Sequence, residues 1–543
     1  MAVGIELRPV NSDSTPAEIV ATTDHDVAVI EADEFSQLSL WQAIKKWSRV
    51  FLFSLGMSSA ILMYGYDYVI VGNASAMPAF QRDFGTQYEG KWILPSLWLG
   101  LWTFISPGGG MVGSLIAGYF QDILGRKASF AVGSFLGAVG VAICFVSNLP
   151  GGINARRAVF LAGKGFQGGA IGMVQTTCQT YMSEILPPKL RGPLLAFFPI
   201  FTLLGQLVGS AVIYACLDLD NGYIICFATQ WPFSAVPMIM AFVVPESPTY
   251  LIRKDKHAKA RRAQKRLDAA GIDTARTLAT IYKNIEHERS QTDATYSACF
   301  HRVHLRRTLI VMFVNVLPQA FGITLLSQAS YFGQVVGMPS SLSVLVLILG
   351  IVFGLLANVA SMWVVARVGH RLLTLVGLGI NAVLWTALGI AGIWSGPVVV
   401  WYCVVSLILV IMSAGLSVWP ASYAIGSETS ALHLRAKVQG IGWFISSAVS
   451  AIFGFILPYI YNPDKGNLRA KVAFIYGAIC LLCVVVTYYY VPEMKGRTPA
   501  EIDRMFDLKL SALEFKDWDG SESPATDKMT RSESKPGVVH AEE

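Results

Sequence analysis

Apolar residues in this chain gather into long runs separated by short polar connections. Runs of about 20 residues, the length needed to cross a hydrocarbon core as a helix, fall near 50–72, 97–120, 128–147, 157–180, 193–215 and 226–244. A second set follows near 308–334, 341–366, 372–394, 398–424, 436–460 and 471–491. The pattern predicts an all-α membrane protein of twelve spans in two groups of six. The expected organisation is a polar, acidic and disordered tail (1–49), a first six-helix bundle (50–248), a basic linker (249–307), a second bundle (308–492) and a tail (493–543).

Composition agrees with that pattern. Of 543 residues, 53% are hydrophobic and 14% charged, against roughly 25% charged in ordinary globular proteins. The first 40 residues lack the apolar core of a cleaved signal, and the last stretch, "SESPATDKMTRSESKPGVVHAEE", is too polar to fold alone. The linker carries 14 of the 42 Lys and Arg against 6 acids. The positive-inside rule therefore makes it cytoplasmic, and six spans on either side make both termini cytoplasmic too. Its basic run reads either as a solvated surface or as a contact for lipid headgroups.

Eight cysteines include five within spans, where small packing residues are expected. Cys216 and Cys226 instead flank the short outer connection "CLDLDNGYIIC" and form a candidate disulfide. No HExxH or phosphate-cradling glycine loop occurs. Neither metal, cofactor nor nucleic acid is expected, and no nucleophile, base and oxyanion donors group into an enzyme site. "NAS" at Asn73–Ser75 meets the glycosylation pattern but abuts the membrane, so modification is not expected.

The two halves echo each other. "GRK" at Gly125–Lys127 returns as "GHR" at Gly369–Arg371, and "SEILPPKLRG" from Ser183 returns as "SETSALHLRA" from Ser427, both displaced by 244 residues. "PES" at Pro245 is echoed by "PEM" at Pro492. Each echo falls at a linker-side helix end. Two pseudo-symmetric bundles with a central site are a design of secondary transporters. Arg126, Glu184, Arg191 and Glu246 in the first half, with Arg371, Glu428, Arg435 and Glu493 in the second, are expected to form a cytoplasmic gate that latches the bundles. The competing reading is that these are interfacial helix-end charges.

Asp67, in "ILMYGYDYVIVGNASAMPAF", interrupts the first span. An ionisable residue in a membrane span is a functional candidate that needs a partner. The first span runs outward and the fourth inward, which puts Asp67 roughly 8 Å and Lys164 roughly 10 Å below the outer edge at 1.5 Å per residue. Lys164 is thus the expected partner. The pair is read as the proton-coupling site, against the alternative of a static ion pair that fixes helix register.

"GYFQDILGRK", "SEILPPKLRG", "PESPTYL" and "PEMKGRTPAEID" occur in that order, and by them the chain resembles the sugar porter family of the major facilitator superfamily. "GYDYVIVGNASAMPAFQRDFG", "GMVQTTCQTYMSEI" and "LPYIYNPDKGNLRAKVAFIYG" are most similar to the fungal α-glucoside (maltose-type) proton symporters. The resemblance implies the major facilitator fold, no cofactor, and proton-coupled uptake of an α-glucoside or other sugar by a plasma-membrane protein, expected to be a monomer in its bilayer. It implies that Asp67 accepts the proton, with Lys164 where the family usually has arginine. It also implies substrate contacts at Gln175, Gln206, Gln319, Thr324, Trp419, Tyr423 and Trp443. The chain departs from the family where Pro318 replaces one amide of a pair, Thr324 an asparagine and Trp419 a glycine; Trp443, Ser447 and Ser450 stand where an arginine and asparagines are usual. Fewer amides and more indole favour a less polar ligand, unless Trp443 faces lipid and the serines pack between helices. Two alternatives remain open: an exporter or uniporter of a non-sugar metabolite, and a non-transporting sugar receptor.

Overall fold

The computed structural model describes residues 40–518 apart from 89, 269–271, 291–295, 395, 431–433, 496, 498 and 517. The expected tails at 1–39 and 519–543 lie outside the described residues, as do the side chains of Arg191 and Arg435. Residues 40–46, expected to be disordered, form a short helix, Leu40–Lys46.

Among the described residues, twelve long helical segments cross the molecule. The first bundle contains α1 (Ser48–Ser75), α2 (Ser96–Leu124), α3 (Arg126–Phe145), α4 (Ile153–Ile185), α5 (Pro188–Ala215) and α6 (Gly222–Ala228 continued by Trp231–Val243). The second contains α7 (Arg302–Ala320, Ile323–Ser327 and Ala329–Val336), α8 (Ser340–Arg367), α9 (His370–Ala391), α10 (Pro397–Leu416 and Val418–Thr429), α11 (Arg435–Tyr461) and α12 (Ala473–Tyr490). Ten of them are long and apolar enough to span a membrane by composition alone, among the described residues. The other two are α4, the helix that carries Lys164, and α5, whose Pro199–Ala215 is a shorter apolar stretch. This is a multi-pass membrane protein.

Three spans that read as continuous in the sequence are broken. In α7 the break is at Gly322, whose φ of +97° is left-handed and whose missing Cβ would stand 2.8 Å from the Trp385 ring. Only glycine fits there. In α10, Pro420 cannot supply the N–H that the Leu416 carbonyl requires, and the helix restarts after Ser417. Pro232 has the same effect in α6. Broken helices leave backbone groups and side chains facing an interior path, which a membrane protein tolerates where the path is polar or packed in protein.

Between α1 and α2 the chain makes a helix, Pro78–Phe84, and an antiparallel hairpin, Thr86–Tyr88 with Lys91–Ile93. Phe80, Phe84, Trp102, Phe160, Tyr223 and Phe227, all buried, pack ring against ring beneath it and close that end of the first bundle. At the other face lie three linker helices, Pro248–Arg253, His257–Leu267 and Thr274–Ser290. Pro499–Asp507 also docks there under the second bundle, where the Arg307 guanidinium contacts Asp503 and lies over Phe506.

Candidate functional site

The echoed charges act within bundles. Arg126 grips Glu184 with two hydrogen bonds, Nη2 to Oε1 at 2.7 Å and Nε to Oε2 at 3.1 Å. Glu246 accepts the backbone N–H of Arg126 at 3.0 Å and of Lys127 at 3.3 Å. It thereby caps the N-terminus of α3, where unpaired N–H groups and the helix dipole favour an anion. Glu493 caps α9 in the same way, accepting from His370 N at 3.1 Å and Arg371 N at 3.2 Å. Gly125 makes the first cap possible: its φ is +99° and a Cβ would lie 2.5 Å from Glu246 Oε2.

The described contacts among these residues join helices of one bundle; a latch between the bundles is expected to close in the outward-facing state and to part in an inward-facing one. The 244-residue displacement also places His370, not Arg371, on Arg126. Glu428 accordingly pairs with His370 Nε2 at 3.3 Å, while Arg371 donates to the Tyr488 carbonyl at 2.6 Å. His370 was legible from the repeat; the arginine beside it drew attention by its charge.

The bundles do meet at the opposite face. Ser330 of α7 donates to Asn73 Oδ1 at 2.7 Å and to the Gly72 carbonyl at 3.1 Å, and Gln334 Nε2 donates to the Ala76 carbonyl at 2.6 Å. Asn462 donates to the Leu94 carbonyl at 2.8 Å, and Asp464 accepts from Ser96 N at 2.9 Å and from Asn462 Nδ2 at 2.9 Å. Asp464 thus ties the start of α2 to the end of α11. An Asp464→Ala variant is expected to loosen this face, so that labelling of a cysteine placed at Ser96 by an impermeant thiol reagent rises severalfold; unchanged labelling would assign the seal to α1 and α7 alone.

Between the bundles lies a cavity of about 2580 Å³. It runs from Gly72 and Asp67, beneath the sealed face, to Arg253 and Lys437 at the linker face. The bundles therefore meet at one face and part toward the other. Asp67, Lys164, Gln175, Gln319, Thr324, Tyr423 and Trp443 all line this cavity. Gln206 and Trp419 do not: both are buried, beside a much smaller void shared with Tyr68 and Phe321. Cys216 and Cys226, the candidate disulfide, are adjacent buried thiols with no bridge between them, one at the end of α5 and one in the first segment of α6.

Asp67 and Lys164 are in direct contact, with 4% and 1% of their surfaces exposed. Burial to this degree is tolerable only for a paired, hydrogen-bonded charge. The second Asp67 oxygen accepts from Ser106 Oγ of α2 at 2.9 Å, and Lys164 Nζ lies 3.5 Å from Gln167 Oε1, whose amide contacts Gln230 of α6. One carboxylate thus joins α1 to α2 and α4. Tyr64 and Tyr68, at i−3 and i+1 from Asp67, line the cavity as well. Tyr64 and Tyr68 are one helical turn apart on a face beside Asp67, and it is the cavity that singles them out.

The family model described as sugar (and other) transporter matches residues 53–506. The chain belongs to this family. The transporter is 30% identical over 521 residues to the MFS transporter fmqE of Aspergillus fumigatus, covering 92% of this chain and 96% of that one. It is 28% identical to the alpha-glucosides permease MPH3 of Saccharomyces cerevisiae, covering 94% and 85%, and 26% identical to that organism's maltose permease MAL61, covering 90% and 80%. Among solved structures, it matches the inward open conformation of the E. coli xylose transporter XylE with a TM-score of 0.69 at 18% identity, covering 84% and 99%. The fold is that of the major facilitator superfamily, and the protein is a transporter rather than an enzyme.

Proposed function

We propose that the transporter is a proton-coupled importer of an α-glucoside or other sugar, working by alternating access in the plasma membrane with its linker and both termini in the cytoplasm. The observation that carries this reading is a buried carboxylate–ammonium pair bordering the long cavity between the bundles. With Asp67 ionised, Lys164 and Ser106 hold α1 against α4 and α2. Protonation removes the attraction to Lys164, and α1 is freed to move with its bundle around the cavity. Substrate and proton are coupled when both favour the same transition. Gln175, Gln319, Thr324, Tyr423 and Trp443 are assigned to the substrate, and the halves at 50–248 and 308–492 are the moving bodies. The seal at the far face and the parted linker face support an inward-facing arrangement. The basic linker supports the orientation.

Proteoliposomes containing a pH dye test this reading: external maltose is expected to acidify the lumen, and silence to every sugar in a panel would overturn it. An exporter or uniporter of a non-sugar metabolite is the second reading. It is favoured by the ring stack of Tyr423 on Trp443, with centroids 5.6 Å apart and planes at 27°, Trp443 being one of three residues that stand where family resemblance leads one to expect an arginine and asparagines.

A further inference from the structure

The two halves differ at the linker face in the kind of cation they place there. Arg126 keeps its charge at any physiological pH, and it is held by both Glu184 oxygens and by the Gln121 carbonyl at 3.0 Å. His370, its counterpart in the repeat, belongs to the one residue type whose charge ordinarily changes between about pH 5 and 8. Its ring meets Glu428 at 3.3 Å. The first pair is permanent, and the second is titratable.

The surroundings of the His370 ring pull in both directions. Glu428 approaches from α10, and Glu493, which accepts the His370 backbone N–H, brings a second carboxylate from the segment after α12. Lys495 of that segment opposes a charge on the ring, while the neighbouring Arg371 guanidinium is engaged by the Tyr488 carbonyl. His370 Nδ1 and Glu428 Oε2 are both buried without a hydrogen-bond partner among the described residues. A proton on that nitrogen would find no acceptor, which costs free energy. The ring can therefore gain and lose its proton where the arginine cannot.

The pair holds a separate piece of helix. Because α10 breaks at Ser417, its lower segment, Val418–Thr429, stands apart from Pro397–Leu416. Pro420, Tyr423, Ala424 and Ser427 of this segment line the cavity. Glu428 lies in its last turn. The linker-side end of the segment is also held by Gln439 of α11, which donates to the Gly426 carbonyl at 2.6 Å, and by the Thr429 hydroxyl against the Met494 sulfur at 3.6 Å. Neither of these contacts titrates.

We propose that His370 is a proton sensor at the linker face: charged, it fastens the lower segment of α10 to α9, and on losing its proton it releases that segment beside the cavity. The hold is present at acid pH and is lost as pH rises through the histidine range. If protons are delivered to this side, as in the function proposed above, the sensor responds to the ion that the cycle itself carries. That consequence rests on the proposed function; the sensor does not.

Hydrogen exchange read by mass spectrometry, on the purified full chain in lipid nanodiscs with no substrate, tests it. After correction for the intrinsic pH dependence of exchange, residues 418–429 of the native protein are expected to exchange severalfold faster at pH 8 than at pH 6, and residues 397–416 equally at both. His370→Arg, which installs the residue of the other half, is expected to keep 418–429 slow at both pH values, and His370→Gln to leave it fast at both. Unchanged protection of the first bundle shows that each variant is folded. Equal protection of 418–429 at the two pH values in the native protein, or a rise that persists in either variant, would overturn the proposal. Neither result bears on the sugar reading, since no ligand enters the experiment.

Discussion

Replacing Lys164 with methionine is expected to lower stability by about 3–5 kcal/mol, because it removes the partner of a buried charge and leaves the charge in place. The Asp67 carboxylate retains only the Ser106 hydroxyl, far less than it needs at 4% exposure. It can escape by taking up a proton, in which case the variant folds with a neutral carboxyl and transport loses its dependence on pH. Asp67→Asn in the same chain replaces the pair with two neutral groups of similar size and is expected to restore most of the lost stability. A neutral substitute for a buried ion pair is often tolerated. Thermal unfolding of the single and double variants in one detergent measures both effects. If Lys164→Met melted like the native protein and kept its pH-dependent transport, the pair would be incidental.

The second large effect is expected at Gly72. Its α-carbon lies close against α7: a Cβ would stand 2.7 Å from the Ser327 carbonyl and 2.8 Å from Gln328 Cα. Backbone cannot yield as a flexible side chain can. Gly72→Val should therefore oppose closure of this face by about 1–3 kcal/mol, the ordinary cost of overpacking, which is roughly a 5- to 150-fold shift between the two arrangements. The expected signature is a cysteine at Asn73 that becomes reactive toward an impermeant thiol reagent, with slowed transport. Unreactive Asn73→Cys in this background would mean that the seal does not depend on the close approach.

Both predictions use residues whose importance was unevenly visible in the sequence. Asp67 stood out as a charge in an apolar run, and helix rise alone placed Lys164 at its depth. Those two side chains meet. Tyr64 and Tyr68 lie one turn apart beside Asp67 but are ordinary residues for a membrane helix, so only the cavity singles them out. Gln206 and Trp419 show the converse limit: a sequence assigns them to helices but does not set helix rotation, and packing turned both away from the main cavity. The charged echoes were legible as positions but not as partners. Opposite charges collected at one face suggest a latch, and within each bundle the exposed N–H groups at the starts of α3 and α9 also take Glu246 and Glu493. The break in α7 depends on Gly322 and its contact with Trp385, which are far apart in the chain; apolar run length carries no trace of it.

The central claim is that Asp67 couples the proton to the substrate. Proteoliposomes carrying Asp67→Asn, compared with the native protein under an imposed pH difference, test it most directly with labelled maltose. The account predicts that the native protein concentrates substrate inside, while the variant exchanges substrate across the membrane but reaches only equal concentrations. An Asp67→Asn protein that still accumulates substrate against its gradient would contradict it.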